Sequence, residues 1–489
     1  MQIDCQNLIG GAWRGAADTA ENRCPADTDI VIGTAPVSGA SEAEEAVAAA
    51  KAAFPSWAAT PAPARGALLF KLADLVEAET DRLARALSLE EGKVLPEAVG
   101  EIGKTVRYLR FSAGDCRRMT GMTAEAEVPG TFAMTTWRPL GVVALITPWN
   151  FPVAIPLWKI APAVGAGNTV VLKPAPETPA TAHIIAELCQ RAGFPDGVVN
   201  VVHGDAAAAI ALVDHPDVEA VSFTGSTEVG LKIEARCGEL HKRVQCEMGG
   251  KNPLILLDDG DIETAAACAA KGAFGSTGQR CTATSRAIVM AGVADAFVAR
   301  VAELARAIRP GHPLDEATTM GPSVSERQLE QVLKYMGIGE GEAETVVGTG
   351  RLTGGALGRG YFPAPTLFDR VPTTARIATE EIFGPVLSVI RVETVEEAIA
   401  AANGVRYGLT GAVFTQDLSR AFAMIDRLEA GMMHVNNPTI GGEAHMPFGG
   451  IKQTGVGPRE MGPGAWKFYA EEKTVYINHG GAARGGNLY

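Results

Sequence analysis

The sequence predicts an α/β protein with two α/β domains and a small β element assembled from 120–138 and the C-terminal segment. Three observations lead there. Short apolar runs of strand length alternate with helical stretches over 141–224 and again after Glu247, the pattern of βαβ units around a parallel sheet. A polar, β-leaning stretch at 120–138 separates the first alternation from a helical stretch over about 41–118. The 489 residues, 47% hydrophobic and 20% charged, form an ordinary globular chain long enough for about three domains. Its 56 glycines and 29 prolines stay below the roughly 25–30% that marks low-complexity chains. No internal repeat is visible.

In order, Ser41 and Glu44 read as a capping box opening a helix, and further helical runs cover 62–90 and 96–117. Strands follow at Gly141–Thr147, Asn168–Lys173, Val198–Val202 and Val218–Thr224, with helices at 153–165, 178–192 and 205–213 between them. The second series gives strands at Pro253–Leu257 and Ala287–Met290 and helices at 261–275 and 294–307. Nine glycines between Gly337 and Gly360 predict exposed loop and hairpin. Alternation resumes at Val386–Val392, 394–402, Gly411–Thr415 and 417–429, and 465–478 reads as a short helix and a last strand before a Gly-rich tail.

The net charge of −13 argues against nucleic acid or an anionic membrane as partner, while leaving room for a local basic pocket. The eight cysteines, at 5, 24, 116, 189, 237, 246, 268 and 281, form no C-x-x-C pair, so neither a disulfide framework nor a metal site is expected. The histidines do not pair at ligand spacing, and no metal is assigned. The N-terminus carries no signal-peptide pattern, and a cytoplasmic protein with reduced thiols is the simplest reading. Twenty uncharged residues separate Arg138 from Lys159, enough to span a bilayer. Pro148, Pro152 and Pro156 and the central Asn150 argue against a spanning helix.

Five segments carry residues suited to chemistry. Gly225-Ser-Thr-Glu-Val-Gly230 follows a strand and opens a helix, where glycines allow close approach and free N–H groups favour phosphate; a plain glycine-bounded turn reads the same way. Lys173 ends a strand at the edge where open parallel sheets bind ligands. Cys281 stands among small polar residues with Arg280 adjacent and Arg286 near, and nearby cations lower a thiol pKa. Glu247, beside two glycines, is a candidate general base or a salt-bridged glutamate. Asn150 sits among bulky residues, where its amide serves either a backbone carbonyl or a developing oxyanion. No G-x-S-x-G elbow or P-loop is present.

Together these segments resemble the aldehyde dehydrogenase superfamily over residues 8–478. The resemblance rests on Pro148-Trp-Asn-Phe-Pro152, Lys173-Pro174, Phe223-Thr-Gly-Ser-Thr-Glu-Val-Gly230, Glu247-Met-Gly-Gly250, Gly278-Gln-Arg-Cys281, Glu380-Glu-Ile-Phe-Gly-Pro385 and Pro447-Phe-Gly-Gly450. Gln279–Arg286 and Pro156-Leu-Trp-Lys159 are most similar to the 2-oxoglutarate semialdehyde (2,5-dioxopentanoate) dehydrogenases of that superfamily. The resemblance implies two doubly wound domains. An NAD(P)-binding domain would span 1–118 and 140–249, and a catalytic domain 250–446. Residues 119–139 and 447–489 would form the oligomerisation element and C-terminal segment of a homodimer or homotetramer.

It also implies roles. Cys281 would be the nucleophile, Asn150 the oxyanion donor, Glu247 the base that activates water, and Lys159 an aid to proton transfer. Gly225, Ser226 and Gly230 would lie by the cofactor diphosphate, Lys173 and Pro176 by the adenosine ribose, and Trp149, Met248, Glu381 and Phe383 by the rest of NAD(P). Trp158 and Phe448 would line the aldehyde tunnel, and Arg280 would grip a substrate carboxylate. Succinate semialdehyde or a broad aldehyde range is the alternative, because succinate-semialdehyde enzymes commonly carry an arginine where Trp158 stands. A non-redox thiol hydrolase and a non-catalytic binding protein are the readings from other classes; the first leaves the cofactor motifs idle, and the second predicts loss of Cys281. CoA-dependent relatives lack the glutamate that Glu247 supplies.

Overall fold

The computed structural model describes residues 2–480; the predicted Gly-rich tail lies outside the described residues from 481 onward. Two large sheets and a three-stranded one organise most of them, beside two two-stranded sheets. The eight-stranded sheet has the order Ala12–Arg14, Asn7–Ile9, Val199–Val201, Thr169–Lys173, Val142–Ile146, Val218–Thr224, Arg243–Glu247, Gly455–Val456. Its five strands from Val199–Val201 to Arg243–Glu247 are parallel. Every residue of Val142–Ile146 and Thr169–Lys173 is buried, which is why these strands read as continuous apolar runs rather than alternating ones. The direction of winding reverses between Val142–Ile146 and Val218–Thr224. Crevices at such switch points bind ligands at the carboxyl ends of the strands, where Pro148–Asn150 and Gly225–Ser226 emerge.

The seven-stranded sheet has the order Glu344–Val347, Thr366–Asp369, Val386–Val392, Thr284–Met290, Asn252–Leu256, Thr410–Phe414, Met432–Val435. It is parallel except for its Glu344–Val347 edge. The chain leaves the first sheet at Glu247 and enters the second at Asn252, so Glu247–Lys251 crosses between them. Cys281 lies just before Thr284–Met290. The site therefore forms where carboxyl ends of the first sheet meet amino ends of the second. Thr131–Pro139 pairs antiparallel with Ala470–Asn478 along its whole length and with Thr123–Glu125 on its other side. No helix among the described residues is long and apolar enough to cross a membrane.

Three local expectations are corrected. The first helix spans Ala40–Ala59 and is capped at Gly39, whose N–H donates to Glu42 at 2.9 Å; Ser41 and Glu44 already lie inside it. The 62–90 run is two helices, Ala62–Ala78 and Thr80–Glu91, divided at Glu79. The glycine-rich segment is not all loop: Gly337, Gly339 and Gly341 belong to a helix, Glu326–Glu342. Gly339 lies against Phe368, whose ring a Cβ would meet at 2.5 Å, so here glycine serves close helix–sheet packing rather than a turn.

Candidate active site

Cys281 lies on a cavity of about 460 Å³ that also touches Glu247, Met248, Trp158, Arg280, Phe448, Lys104 and Glu460. The loop that carries it is held in an unusual shape. Ser276, Thr277 and Gly278 all have positive φ (48°, 56° and 67°), a costly region for the first two. Glu97 compensates by accepting from the Ser276 N–H at 3.0 Å and its hydroxyl at 3.0 Å. Thr277 donates to the Gly321 carbonyl at 2.9 Å, and Gln279 accepts from the Val324 N–H at 3.0 Å.

Arg280 does not face the cavity as a free cation. Its Nη2 donates to Glu97 and to Ser276 Oγ, each at 2.8 Å, and its Nε to Ser276 Oγ at 3.1 Å. The expectation that Arg280 lowers the thiol pKa is also corrected. Burial pushes the Cys281 thiol up to about 12, with Glu247 and Glu381 adding to the rise, and Lys104 is the cation that opposes it. Arg286 is buried and spends its guanidinium on the carbonyls of Lys251, Ala401 and Ala402. We expect Glu97→Ala to free the Cys281 loop and lower kcat on every substrate alike, by roughly ten- to a hundredfold. A KM effect confined to charged aldehydes would contradict that.

Asn150 is buried, and its amide donates to the Gln279 carbonyl at 3.0 Å, leaving the second N–H of the same amide. The Asn150 backbone carbonyl accepts from Lys93 Nζ at 2.8 Å. Lys93 pairs with Glu101 at 2.7 Å, both fully buried, and Glu101 in turn accepts from the Val153 and Ala154 N–H groups at 3.0 Å each. A buried pair of this kind adds little net stability but fixes the geometry of what it bonds: here, the turn that presents Asn150.

Glu247 ends its strand buried, with Oε2 lacking a hydrogen-bond partner. Burial raises its pKa well above the carboxylate range, Glu460 raises it further, and Arg459 and Lys159 partly offset this. Gly449 leaves it room, since a Cβ there would sit 2.2 Å from Glu247 Oε1. Lys159 is fully buried; it donates to Ser222 Oγ at 2.8 Å and pairs with Glu460. Trp158 and Phe448 pack with centroids 5.8 Å apart on the cavity wall.

The cofactor-type residues gather at the carboxyl edge of the eight-stranded sheet. Ser226 caps the helix Thr227–Glu239, its hydroxyl accepting from the Val229 N–H at 3.4 Å. A Cβ at Gly225 would meet the Phe223 ring at 2.5 Å, and one at Gly230 would meet Met248 Sδ at 2.4 Å, so a side chain at either glycine would displace Phe223 or Met248. Lys173 is buried and its amine pushed down to about 8 by burial, with Glu177 and Asp205 opposing the fall. Pro176 is exposed. Glu381 accepts from the Gly250 N–H at 2.9 Å. Phe383 (φ 58°) stacks edge-on against Trp149 at 5.4 Å. A capped helix N-terminus, a glycine cradle and a buried lysine fit the diphosphate and ribose of NAD(P).

Sequence reading missed Glu460, Glu97, Glu101 and Lys104. The last three had a signal. They stand four and three residues apart on one helix, Leu95–Asp115, and so share a face, one that otherwise carries buried apolar positions. Glu460, in a proline- and glycine-rich turn far along the chain, had none.

A crevice that fits a dinucleotide and a half-buried thiol meet between two α/β sheets, the arrangement of an oxidoreductase of the dehydrogenase kind. The sequence matches the aldehyde dehydrogenase family over residues 13–475, and the chain belongs to that family as an NAD(P)-dependent enzyme. It is 41% identical over 475 residues to an alpha-ketoglutaric semialdehyde dehydrogenase of Bacillus subtilis, covering 96% of this chain and 97% of the relative. It is 42% identical over 477 residues to a 2,5-dioxopentanoate dehydrogenase of Saccharolobus solfataricus, covering 96% and 98%. The crystal structure of an NAD-dependent aldehyde dehydrogenase from Sinorhizobium meliloti superposes with a TM-score of 0.95 at 38% identity, covering 99% and 96% of the two chains.

Proposed function

We propose that the protein oxidises 2,5-dioxopentanoate to 2-oxoglutarate, consuming one water, reducing NAD(P)⁺ and releasing two protons, through a thiohemiacetal and then a thioester on Cys281. The observation that carries the reading is the single cavity shared by Cys281 and Glu247, with Lys104, Lys271 and Arg280 in its wall. The names of the relatives from Bacillus subtilis and Saccharolobus solfataricus support the choice of aldehyde.

Cys281 attacks the aldehyde carbon, and its proton leaves as the C–S bond forms. The free amide N–H of Asn150 and the Cys281 backbone N–H hold the oxyanion. NAD(P)⁺, when bound, accepts the hydride. Glu247 then takes a proton from the water that attacks the thioester; Lys159 partly offsets the repulsion that Glu460 adds to its charge, and the Lys159–Glu460 pair passes protons onward. Gly225, Ser226 and Gly230 cradle the diphosphate, Lys173 and Pro176 border the adenosine ribose, and Glu381, Phe383, Trp149 and Met248 border the nicotinamide half. Residues 1–118 with 140–249 then act as the cofactor domain and 250–446 as the catalytic domain. The sheet of Thr131–Pro139 and Ala470–Asn478, with Tyr476 and Ile477 exposed, serves association into a homo-oligomer.

A panel of semialdehydes with both cofactors tests the substrate. We expect kcat/KM for 2,5-dioxopentanoate to exceed that for an uncharged aldehyde of similar length by roughly ten- to a hundredfold, the worth of one charge-assisted contact. Equal values would reduce the reading to a broad-specificity aldehyde dehydrogenase. Added CoA is expected to leave the rate unchanged.

Cofactor choice turns on Pro176, which puts no carboxylate against the adenosine 2′ position, where a carboxylate would repel a 2′-phosphate by several kcal/mol. Glu177, the next residue, lies in the field of Lys173 and Arg327. NADP⁺ is expected to be accepted alongside NAD⁺. A kcat/KM favouring NAD⁺ by more than about a hundredfold, some 2.7 kcal/mol, would show that Glu177 excludes the phosphate.

A further inference from the structure

We infer that Lys104, rather than Arg280, reads the carboxylate of the substrate; this rests on the proposed oxidation of a carboxylate-bearing semialdehyde. Three cations border the cavity: Lys104, Lys271 and Arg280. Arg280 is already neutralised by Glu97 at 2.8 Å and tied to Ser276, so its charge holds the nucleophile loop. Lys271 is exposed, where water screens its field. Lys104 is half-buried, and among the described residues its Nζ makes no ion pair or hydrogen bond. The ammonium instead lies 4.9 Å from the centre of the Trp158 ring, and a Cβ at Gly442 would meet it at 3.4 Å.

A half-buried ammonium against an aromatic wall has lost water without gaining an anion, so a carboxylate arriving there gains more than it would at a solvated cation. The groups whose fields reach Lys104 are Cys281, Glu443, Arg107 and Glu101. Glu101 is committed to Lys93, and Glu443 is exposed, so no buried carboxylate competes for it. Because Lys104 and the thiol share one cavity and feel each other's charge, a short aldehyde held at Cys281 presents its far end to this ammonium. Trp158 thus contributes indirectly: it cannot pair with a carboxylate, but its ring supports the cation that does.

The test compares wild type, Lys104→Met, Lys104→Arg and Arg280→Gln. Each is assayed with 2,5-dioxopentanoate and with pentanal, and with 2-oxoglutarate as an inhibitor of pentanal oxidation. In Lys104→Met the ratio of kcat/KM for the charged over the uncharged aldehyde is expected to fall roughly ten- to a hundredfold, mainly through KM. Inhibition by 2-oxoglutarate is expected to weaken in parallel, and Lys104→Arg to restore much of the ratio. In Arg280→Gln both aldehydes are expected to slow together, leaving the ratio intact. If wild type itself shows no preference for the charged aldehyde, the substrate reading fails. If the preference exists but survives in Lys104→Met, or is lost in Arg280→Gln instead, the assignment to Lys104 is overturned while the substrate reading stands. An equal loss on both aldehydes in Lys104→Met, with a shifted pH profile, would overturn it too, placing Lys104 with the thiolate.

Discussion

Cys281→Ala is expected to reduce dehydrogenase activity below about one per cent of wild type while NAD(P) binding persists. The thiol enters only at the chemical step, and the glycine cradle and Lys173 do not line the cavity that holds Cys281. The size of the effect follows from the surroundings. With its pKa pushed up to about 12, the thiol is protonated at neutral pH, so the nucleophile ionises as it attacks, with Lys104 the cation nearest to helping. No other thiol can substitute. Cys246, the nearest in sequence to Glu247, is fully buried with Sγ turned toward the Gly230 carbonyl at 3.8 Å. Cys246→Ala is therefore the control, expected to retain most of the activity. Turnover of Cys281→Ala above about one per cent, measured as reduced cofactor formed, would reject the nucleophile.

The inner strands of both large sheets are largely legible in the sequence because burial on both faces demands unbroken runs such as Val142-Val-Ala-Leu-Ile146, whereas Asn7–Ile9, Arg243–Glu247, Thr366–Asp369 and Met432–Val435 are not. Asn150, Gly225, Ser226 and Glu247 stand out in the amino-acid sequence because they lie in or beside turns. Pairings between distant segments do not. Arg280 looks like a free cation because nothing in the sequence says that Glu97, on a helix 183 residues earlier, turns toward it. For the same reason Glu460 stays hidden: its partner Lys159 lies 301 residues away. The glycines at 337, 339 and 341 mislead in the opposite direction, since composition cannot distinguish a glycine that bends the chain from one that lets a helix approach Phe368.

Glu247→Gln is expected to separate the two halves of the reaction. The amide keeps the shape of the side chain but accepts no proton, so acylation and hydride transfer proceed once while hydrolysis stalls. The signature is a burst of reduced cofactor equal to the enzyme concentration, then a steady state slower than wild type by roughly 10²–10⁴-fold. The pH dependence carries the same assignment. Burial and the neighbouring Glu460 hold the pKa of Glu247 well above 4.5, so the group is protonated at low pH and becomes a base only as pH rises through that raised value. Wild-type deacylation should therefore climb with pH, with its inflection well above the ordinary carboxylate range, and Glu247→Gln should lose that inflection. A carboxylate at its ordinary pKa would be ionised throughout but would be the weaker base, so burial trades availability at low pH for proton affinity when ionised. Loss of the burst itself, with the steady state falling to the same level, would move Glu247 to the first step as the base that ionises Cys281, and water would then need another activator.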